Sequence, residues 1–182
     1  MTLIAAIVEN GKVFMIADTL GSNSSTKHTV KTRKIVQKGD MLIGTSGSFK
    51  AVNIIDMEFK PLPREEGLSD SEYVYRNVKE ITRLVDASGF ASTSQGTQET
   101  KLLECSSLIG FKGKVYKFQH NGSMLELADD FAAVGSGSYH AEASLYSTRN
   151  SKLKAEERLL KALECASYFV MSVNNEAQLE VV

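Results

Sequence analysis

The chain has little cysteine, no excess of charge of one sign and no long apolar run. Its two cysteines, Cys105 and Cys165, lie singly in apolar segments without a Cys-x-x-Cys spacing. This pattern predicts buried, reduced thiols and a cytoplasmic location rather than a disulfide framework. The 21 basic and 22 acidic residues give a formal net charge of −1, and general nucleic-acid binding would require a strong basic excess. We therefore predict no nucleic-acid partner.

Membrane segments and metal-binding patterns are also missing from the sequence. The first apolar run lacks a basic n-region and breaks at Glu9-Asn10-Gly11, which argues against a secretory signal. No apolar run approaches the roughly 20 residues of a transmembrane helix. The histidines His28, His120 and His140 have no metal-ligand spacing. We expect no membrane association, no metal site and no cofactor held by this chain.

Length and apolar content indicate one folded domain. The chain has 182 residues, of which 42% are hydrophobic, enough to bury a sizeable core. No internal repeat and no linker interrupts it. We predict a single domain over residues 1–182.

The hydrophobic pattern predicts strands, two helices, strands, two helices and a final strand. Residues 2–8 form a nearly continuous apolar run, Asn10-Gly11 is a strong hairpin signal, and residues 12–18 return as the partner strand,. Polar residues in the segments 21–31 and 88–100 predict loops, the second of them mobile. The other predicted strands are 34–37, 41–46, 102–111, 114–118, 131–134 and 177–182, and the predicted helices are 48–59, 72–86, 139–149 and 154–171. This order favours an α+β fold of two face-to-face sheets with helices outside.

Three polar residues near the start of the chain suggest chemistry. Removal of Met1 would give Thr2 a free α-amine beside its hydroxyl, and an N-terminal amine can act as the base that activates that hydroxyl. A lysine such as Lys34 would lower the pKa of the amine, and a carboxylate such as Asp18 would hold the lysine. Each residue alone has an ordinary structural interpretation. The set is informative because its gaps of sixteen residues, from Thr2 to Asp18 and from Asp18 to Lys34, resemble those of a known protein family.

Six segments of the sequence form a recognisable pattern. They are T-L-I-A-A-I-V-E-N-G-K-V-F-M-I-A-D (2–18), R-K-I (33–35), G-T-S-G-S (44–48), D-F-A-A-V-G-S-G-S-Y-H-A-E-A-S (130–144), K-A-L-E-C-A (161–166) and S-V-N-N-E-A-Q-L-E-V-V (172–182). In these segments the sequence resembles proteasome-type N-terminal nucleophile hydrolases, and within them most closely the bacterial HslV-like peptidases. The resemblance covers most of the chain except roughly residues 59–103.

This resemblance implies a role for five residues. Thr2 is the nucleophile, Asp18 pairs with the lysine, and Lys34 tunes the amine. Ser136 is an accessory serine, and the backbone N–H of Gly47 forms the oxyanion hole. For two of them a structural interpretation stays open, because Ser136 would also suit a helix cap and Gly47 a turn before a helix.

The resemblance also implies a fold and an assembly. The fold is the four-layer αββα sandwich. The chain would be a subunit of stacked homo-oligomeric rings that degrade unfolded polypeptides. ATP would enter only through a partner AAA+ unfoldase, because this chain has no Walker motif,.

One departure from the family leaves two alternatives open. Proteasome subunits support the amine with an aspartate and a serine on the last helix, and Tyr168 and Met171 align with those positions. A catalytically inactive protein with a structural or assembly role is therefore the main alternative to a threonine endopeptidase. An amidase acting on a small amide is the other, although the chain lacks the large inserts that would close such a pocket.

Overall fold

A computed structural model describes residues 2–23, 25–89, 91–94 and 100–182, and these residues form thirteen strands and four helices. The strands are β1 (Leu3–Glu9), β2 (Lys12–Asp18), β3 (Leu20–Ser22), β4 (Lys27–Thr29), β5 (Ile35–Lys38), β6 (Met41–Gly47), β7 (Ala91–Ser94), β8 (Thr100–Leu103), β9 (Cys105–Phe111), β10 (Lys114–Phe118), β11 (Met124–Glu126), β12 (Phe131–Gly135) and β13 (Ala177–Val181). The helices are α1 (Phe49–Met57), α2 (Asp70–Ala87), α3 (Ser138–Ser147) and α4 (Ala155–Phe169).

Two antiparallel sheets form the centre of the fold. One has the strand order β12-β1-β2-β13 and the other β11-β10-β9-β6-β5. The β1–β2 hairpin turns at Asn10 and Gly11, whose φ angles of 53° and 74° fit a two-residue turn with positive φ at both positions. Leu3 pairs with Gly135, and Ala177 pairs with Asp18. The start of β1 therefore lies beside the ends of β2 and β12, at one end of the first sheet.

Each sheet buries both of its faces. Apolar side chains of β1, β2 and β12 face those of β5, β6, β9 and β10 between the sheets. Helices α3 and α4 cover the outer face of the first sheet, and α1 and α2 cover that of the second. The sheets approach closely at Gly44, where a Cβ atom would lie 2.5 Å from Ile4 Cγ2 and from Met15 Sδ. The predicted α+β class and its αββα layering are confirmed.

Helices α1 and α2 begin where polar side chains satisfy free backbone N–H groups. The Ser48 side chain accepts a hydrogen bond from Lys50 N at the start of α1. At the start of α2, Ser69 and Glu72 form a reciprocal capping box,. Among the described residues, no helix combines the length and apolar character needed to cross a lipid bilayer.

Two predicted loops contain short strands. Leu20–Ser22 and Lys27–Thr29 pair within the segment 21–31, so the loop prediction was wrong there. Ala91–Ser94 pairs with Thr100–Leu103, which corrects part of the 88–100 prediction, while residues 90 and 95–99 lie outside the described residues. Strand β4 is exposed at every position, so no alternation of polar and apolar residues marked it. Strand β11 was also not predicted.

Candidate active site

Asp18 and Lys34 form a buried ion pair at one end of the sandwich. Asp18 ends β2 and Lys34 directly precedes β5, so each sheet contributes one charged side chain. Lys34 Nζ donates hydrogen bonds to Asp18 Oδ1 and to the Leu20 carbonyl, both at 2.8 Å. The exposed fractions of the two side chains are 2% for Lys34 and 0% for Asp18. The pairing predicted from the sixteen-residue spacing is present.

The Asp18 carboxylate also contacts the backbone next to Thr2. Leu3 N donates to Asp18 Oδ1 at 2.9 Å, and Leu20 N donates to Asp18 Oδ2 at 3.1 Å. The N–H of Leu3 belongs to the peptide unit that joins it to Thr2. Asp18 Oδ1 therefore connects Lys34 to the peptide bond immediately after Thr2, and the three predicted residues lie in one buried cluster.

Burial changes the protonation equilibrium of Lys34. Loss of hydration disfavours the ammonium form and lowers the pKa of Lys34,. The charge of Asp18 and its hydrogen bond act in the opposite direction and offset part of this effect. Lys34 therefore gives up its proton more readily than an exposed lysine, and Asp18 limits this effect.

Ser136 contacts Thr2 from the turn between β12 and α3. Its Oγ donates to the Thr2 carbonyl at 3.3 Å and lies 3.1 Å from Ser172 Oγ. The N-cap residue of α3 is Gly137, and no side chain of the described residues caps that helix end. The open interpretation of Ser136 as a helix cap therefore does not hold. Gly135, which precedes it, has φ 95°, and a Cβ there would lie 2.1 Å from the Thr2 carbonyl oxygen.

The segment after α4 brings Ser172, rather than Tyr168 or Met171, into contact with Ser136. Tyr168 and Met171 are 83% and 95% exposed, so neither side chain is buried beside Thr2. The helix ends at Phe169, two residues earlier than predicted, and the chain turns so that Ser172 is only 6% exposed. Ser172 was missed by the sequence analysis, because a single small polar residue between Met171 and Val173 is too common a pattern to select it.

The direction of the Gly47 N–H follows from strand register. Ser48 N donates to the Glu104 carbonyl, and Thr45 N donates to the Lys34 carbonyl, both at 2.9 Å. Hydrogen bonding alternates between the two sides of an antiparallel strand. Gly47 pairs with Cys105 in a position where its N–H points away from β9, on the same side as the N–H of Thr45. Strand β5 begins only at Ile35, so this N–H lies beyond the last paired residue of that edge.

Glycine is also required at this position for steric reasons. The φ of Gly47 is 115°, and a Cβ would lie 2.2 Å from the Glu104 carbonyl oxygen. Gly47 directly precedes Ser48, the N-cap of α1. The interpretation of Gly47 as a turn residue before a helix is therefore compatible with the orientation of its N–H.

Two adjoining cavities open beside these residues. The smaller has a volume of about 270 Å³ and is lined by Thr2, Ser46, Gly47, Leu103, Glu104, Cys105, Ser106, His120, Gly135 and Ser136. The larger, of about 640 Å³, lies between the β3–β4 hairpin and residues 169–172 and also includes Ser136. Ser22 Oγ, on the lining of the larger cavity, is buried without a hydrogen-bond partner in the described structure. Thr2 is only 4% exposed, and it faces the same space as Gly47 and Ser136.

The chemistry available here is that of polar side chains and backbone groups. Among the described residues, no group of three or more His, Cys, Asp or Glu side chains is arranged to hold a metal ion. Burial raises the pKa of the Cys105 thiol to about 11, so this cysteine lines the smaller cavity as a neutral group. Thr2 carries the hydroxyl that shares this cavity with the Gly47 backbone and the Ser136 side chain.

The chain is similar to known protease subunits over its whole length. No family model matches the chain. It is 28% identical to the ATP-dependent protease subunit HslV of Borrelia duttonii over 187 aligned positions, which include 100% of this chain and 97% of the relative. The HslV of Thermoanaerobacter sp. is 25% identical over 100% of this chain and 98% of the relative.

Solved structures share the fold at lower sequence identity. Thiobacillus denitrificans BPH superposes with a TM-score of 0.83 at 19% identity, covering 99% of this chain and 97% of that one. The same protein in complex with epoxomicin gives a TM-score of 0.81. HslV of Trypanosoma brucei gives 0.69 at 18% identity, with 98% of both chains covered.

Proposed function

We propose that this chain, which has the HslV-like fold of proteasome β-type subunits, is a threonine peptidase subunit of a ring protease with Thr2 as its nucleophile. The observation that carries the proposal is the buried cluster in which Lys34 binds Asp18 and Asp18 binds the peptide unit after Thr2. The full-length similarity to subunits named ATP-dependent protease supports the reaction class. The mechanism requires removal of Met1, because the α-amine of Thr2 must be free.

The reaction begins with a proton transfer within one residue. The neutral α-amine of Thr2 takes the hydroxyl proton, directly or through a water, while Oγ attacks the peptide carbonyl carbon. The C–N bond of the tetrahedral intermediate then breaks, and the α-ammonium returns its proton to the leaving amine. An ester between Thr2 and the acyl part of the substrate remains. Water activated by the same amine hydrolyses this ester and regenerates the hydroxyl.

Lys34 and Asp18 act as positioning residues in this scheme. A free α-amine has a pKa of about 7.7–8.0, and a nearby cation lowers the pKa because two like charges repel. Lys34 therefore increases the neutral fraction of the amine near pH 7. Asp18 holds the lysine through its 2.8 Å hydrogen bond and fixes the backbone of the nucleophile.

Backbone and hydroxyl groups stabilise the developing charge. The outward N–H of Gly47 is the donor to the oxyanion, an interaction on the order of 3 kcal/mol in hydrolases. Ser136, with its 3.3 Å bond to the Thr2 carbonyl and its 3.1 Å contact to Ser172, orients the N-terminal residue or its water. These roles use the groups that border the smaller cavity.

Ring assembly and an ATPase partner belong to the same proposal. The relatives are subunits by name and depend on ATP by name, and this chain contains no Walker motif of its own,. We propose that copies of this chain form stacked rings, that an AAA+ unfoldase supplies unfolded polypeptides, and that the complex acts in the cytoplasm.

Hydrolysis of an unfolded polypeptide by the Met1-free protein tests this function. Thr2→Ala removes the hydroxyl and should abolish hydrolysis, whereas Thr2→Ser should retain part of it. Thr29→Ala, at an exposed position of β4, is the matched control and should cleave like the wild type. Equal hydrolysis by wild type and Thr2→Ala would refute Thr2 as nucleophile. Absence of hydrolysis in all variants, with rings formed, would favour a structural protein.

Epoxomicin provides a second test that does not depend on the substrate chosen. This compound forms a complex with the similar protein from Thiobacillus denitrificans. We expect the intact mass of the wild-type chain to increase by one epoxomicin molecule after incubation. Thr2→Ala should show no increase, and labelling of Thr2→Ala at the wild-type level would place the reactive group elsewhere.

A further inference from the structure

The smaller cavity beside Thr2 has the size of a single side chain. Its volume of about 270 Å³ lies just below the range of roughly 300–1,000 Å³ that is usual for small-molecule sites. Thr2, Gly47 and Ser136 border it on one side, and Leu103, Glu104 and Cys105 on another. A substrate side chain next to the scissile bond would enter this space.

Among the described residues that line this cavity, one is an acid. Glu104 lines the cavity and is exposed to solvent, and no lysine or arginine is among the described residues that line it. Among the described residues, no ion pair involves Glu104. Within this part of the chain, the carboxylate of Glu104 can therefore pair with a ligand cation.

The backbone of Glu104 is fixed beside the proposed oxyanion donor. Its carbonyl accepts the hydrogen bond from Ser48 N at 2.9 Å, and its carbonyl oxygen lies against the α-carbon of Gly47. Cys105, the next residue, points into the core with an exposed fraction of 3%. Successive side chains of an extended strand point to opposite faces, so the Glu104 side chain is directed away from the core.

The other walls suit the stem of a long basic side chain. Leu103 and Cys105 border the cavity and are 5% and 3% exposed, so the wall that they form is buried and apolar. Lysine and arginine pack their methylene groups against apolar walls while their charged ends remain near water. His120 also lines the cavity and supplies a further hydrogen-bonding group. An acidic side chain would meet an unpaired carboxylate here, which disfavours it.

We infer that this cavity is a subsite for a lysine or arginine side chain of the polypeptide substrate, selected by the carboxylate of Glu104. The inference rests on the proposed function, because it assigns a substrate preference to the same site. Glu104 is a specificity-determining residue in this account and takes no part in the bond-breaking steps.

Matched peptides measure this preference. The assembled, Met1-free protein is given peptides that differ only by lysine, norleucine or glutamate at each position within two residues of the cleaved bond. At one position, kcat/KM should favour lysine over norleucine by about tenfold. Glu104→Gln should remove this preference, and Glu104→Lys should make glutamate better than lysine. Glu66→Gln, a change at an exposed acid in the loop before α2, is the control and should keep the wild-type preference.

A binding measurement separates this inference from the proposed function. Fluorescence anisotropy with labelled peptides on Thr2→Ala should show about tenfold tighter binding of the lysine peptide than of the norleucine peptide. Adding Glu104→Gln should abolish the difference. Cleavage without any preference that depends on Glu104 would overturn the inference and leave the proposed function intact. Selective binding without cleavage would support the inference while the proposed function fails.

Discussion

Lys34 Nζ and Asp18 Oδ1 lie 2.8 Å apart in a pair with almost no solvent exposure. A buried pair of this kind contributes little net stability compared with apolar residues, but loss of one partner leaves an uncompensated charge. Here the pair also holds the peptide unit after Thr2 through the hydrogen bond from Leu3 N to Asp18 Oδ1. The pair therefore fixes the position of the backbone next to Thr2.

Removing one member of this pair should destabilise the protein strongly. Lys34→Met leaves Asp18 buried without its cation, and we expect the free energy of unfolding to fall by about 3–5 kcal/mol. The double variant Asp18→Asn/Lys34→Met should recover most of this loss, because no buried charge remains. Urea denaturation at fixed protein concentration measures both. A loss in Lys34→Met below about 1 kcal/mol, as for a surface pair, would contradict the buried-pair interpretation.

Cys105 should make stability fall at alkaline pH. Its folded-state pKa of about 11 exceeds the ordinary thiol value of about 8.5, so the unfolded chain loses this proton first. The corresponding contribution to stability is complete below about pH 8.5 and is lost as the pH rises toward 11,. Cys105→Ala removes this contribution. The difference in the free energy of unfolding between wild type and variant should therefore decrease between about pH 8 and 10.5, the range set by the unfolded and folded pKa values of the thiol. Cys165→Ala, which changes the less buried cysteine, is the matched control; a constant gap for Cys105→Ala would contradict the assignment.

Replacement of Gly47 by alanine should destabilise the protein more than the same replacement at a comparable glycine. Gly47 and Gly67 both have positive φ, 115° and 85°, but a Cβ on Gly67 meets no atom within 4 Å. Gly67→Ala should therefore cost about 1 kcal/mol of backbone strain. Gly47→Ala adds a steric clash between its Cβ and the Glu104 carbonyl oxygen. This variant should therefore lose clearly more stability than Gly67→Ala. Thermal unfolding of the two variants compares them, and equal losses would show that the strand moves to relieve the contact.

The two site serines should affect activity more than folding. Ser136→Ala removes the hydrogen bond to the Thr2 carbonyl, and Ser172→Ala removes its partner. A hydrogen bond of this kind is worth about 0.5–1.5 kcal/mol, so kcat should fall between about twofold and tenfold in each variant, with KM nearly unchanged. The double variant should lose less than the product of the two, because the hydroxyls contact each other. Ser167→Ala, on α4 but outside both cavities, is the control and should retain the wild-type kcat.

Regular spacing and apolar periodicity made much of the architecture predictable. The apolar run before Asn10-Gly11 predicts a strand that buries both faces. The apolar residues at helical spacing in α2 predict a helix that buries one face. The pairing of Asp18 with Lys34 was predicted from the family resemblance and from their places at strand ends. The two sheets bring these strand ends together.

Some features depend on contacts that no local sequence pattern reveals. Ser172 reaches Ser136 across 36 positions, and only the early end of α4 turns it inward. The outward direction of the Gly47 N–H depends on its register with Cys105 on β9. Strand β4 is held by pairing with β3 while every side chain is exposed, so it carries no hydrophobic signal.

The intact mass of the native protein, purified without an added N-terminal tag, tests the central claim most directly. The account predicts that Met1 is absent and that Thr2 is the first residue, because the α-amine of Thr2 must be free to act as the base. Retention of Met1 on every chain of a preparation that hydrolyses polypeptides would contradict the account.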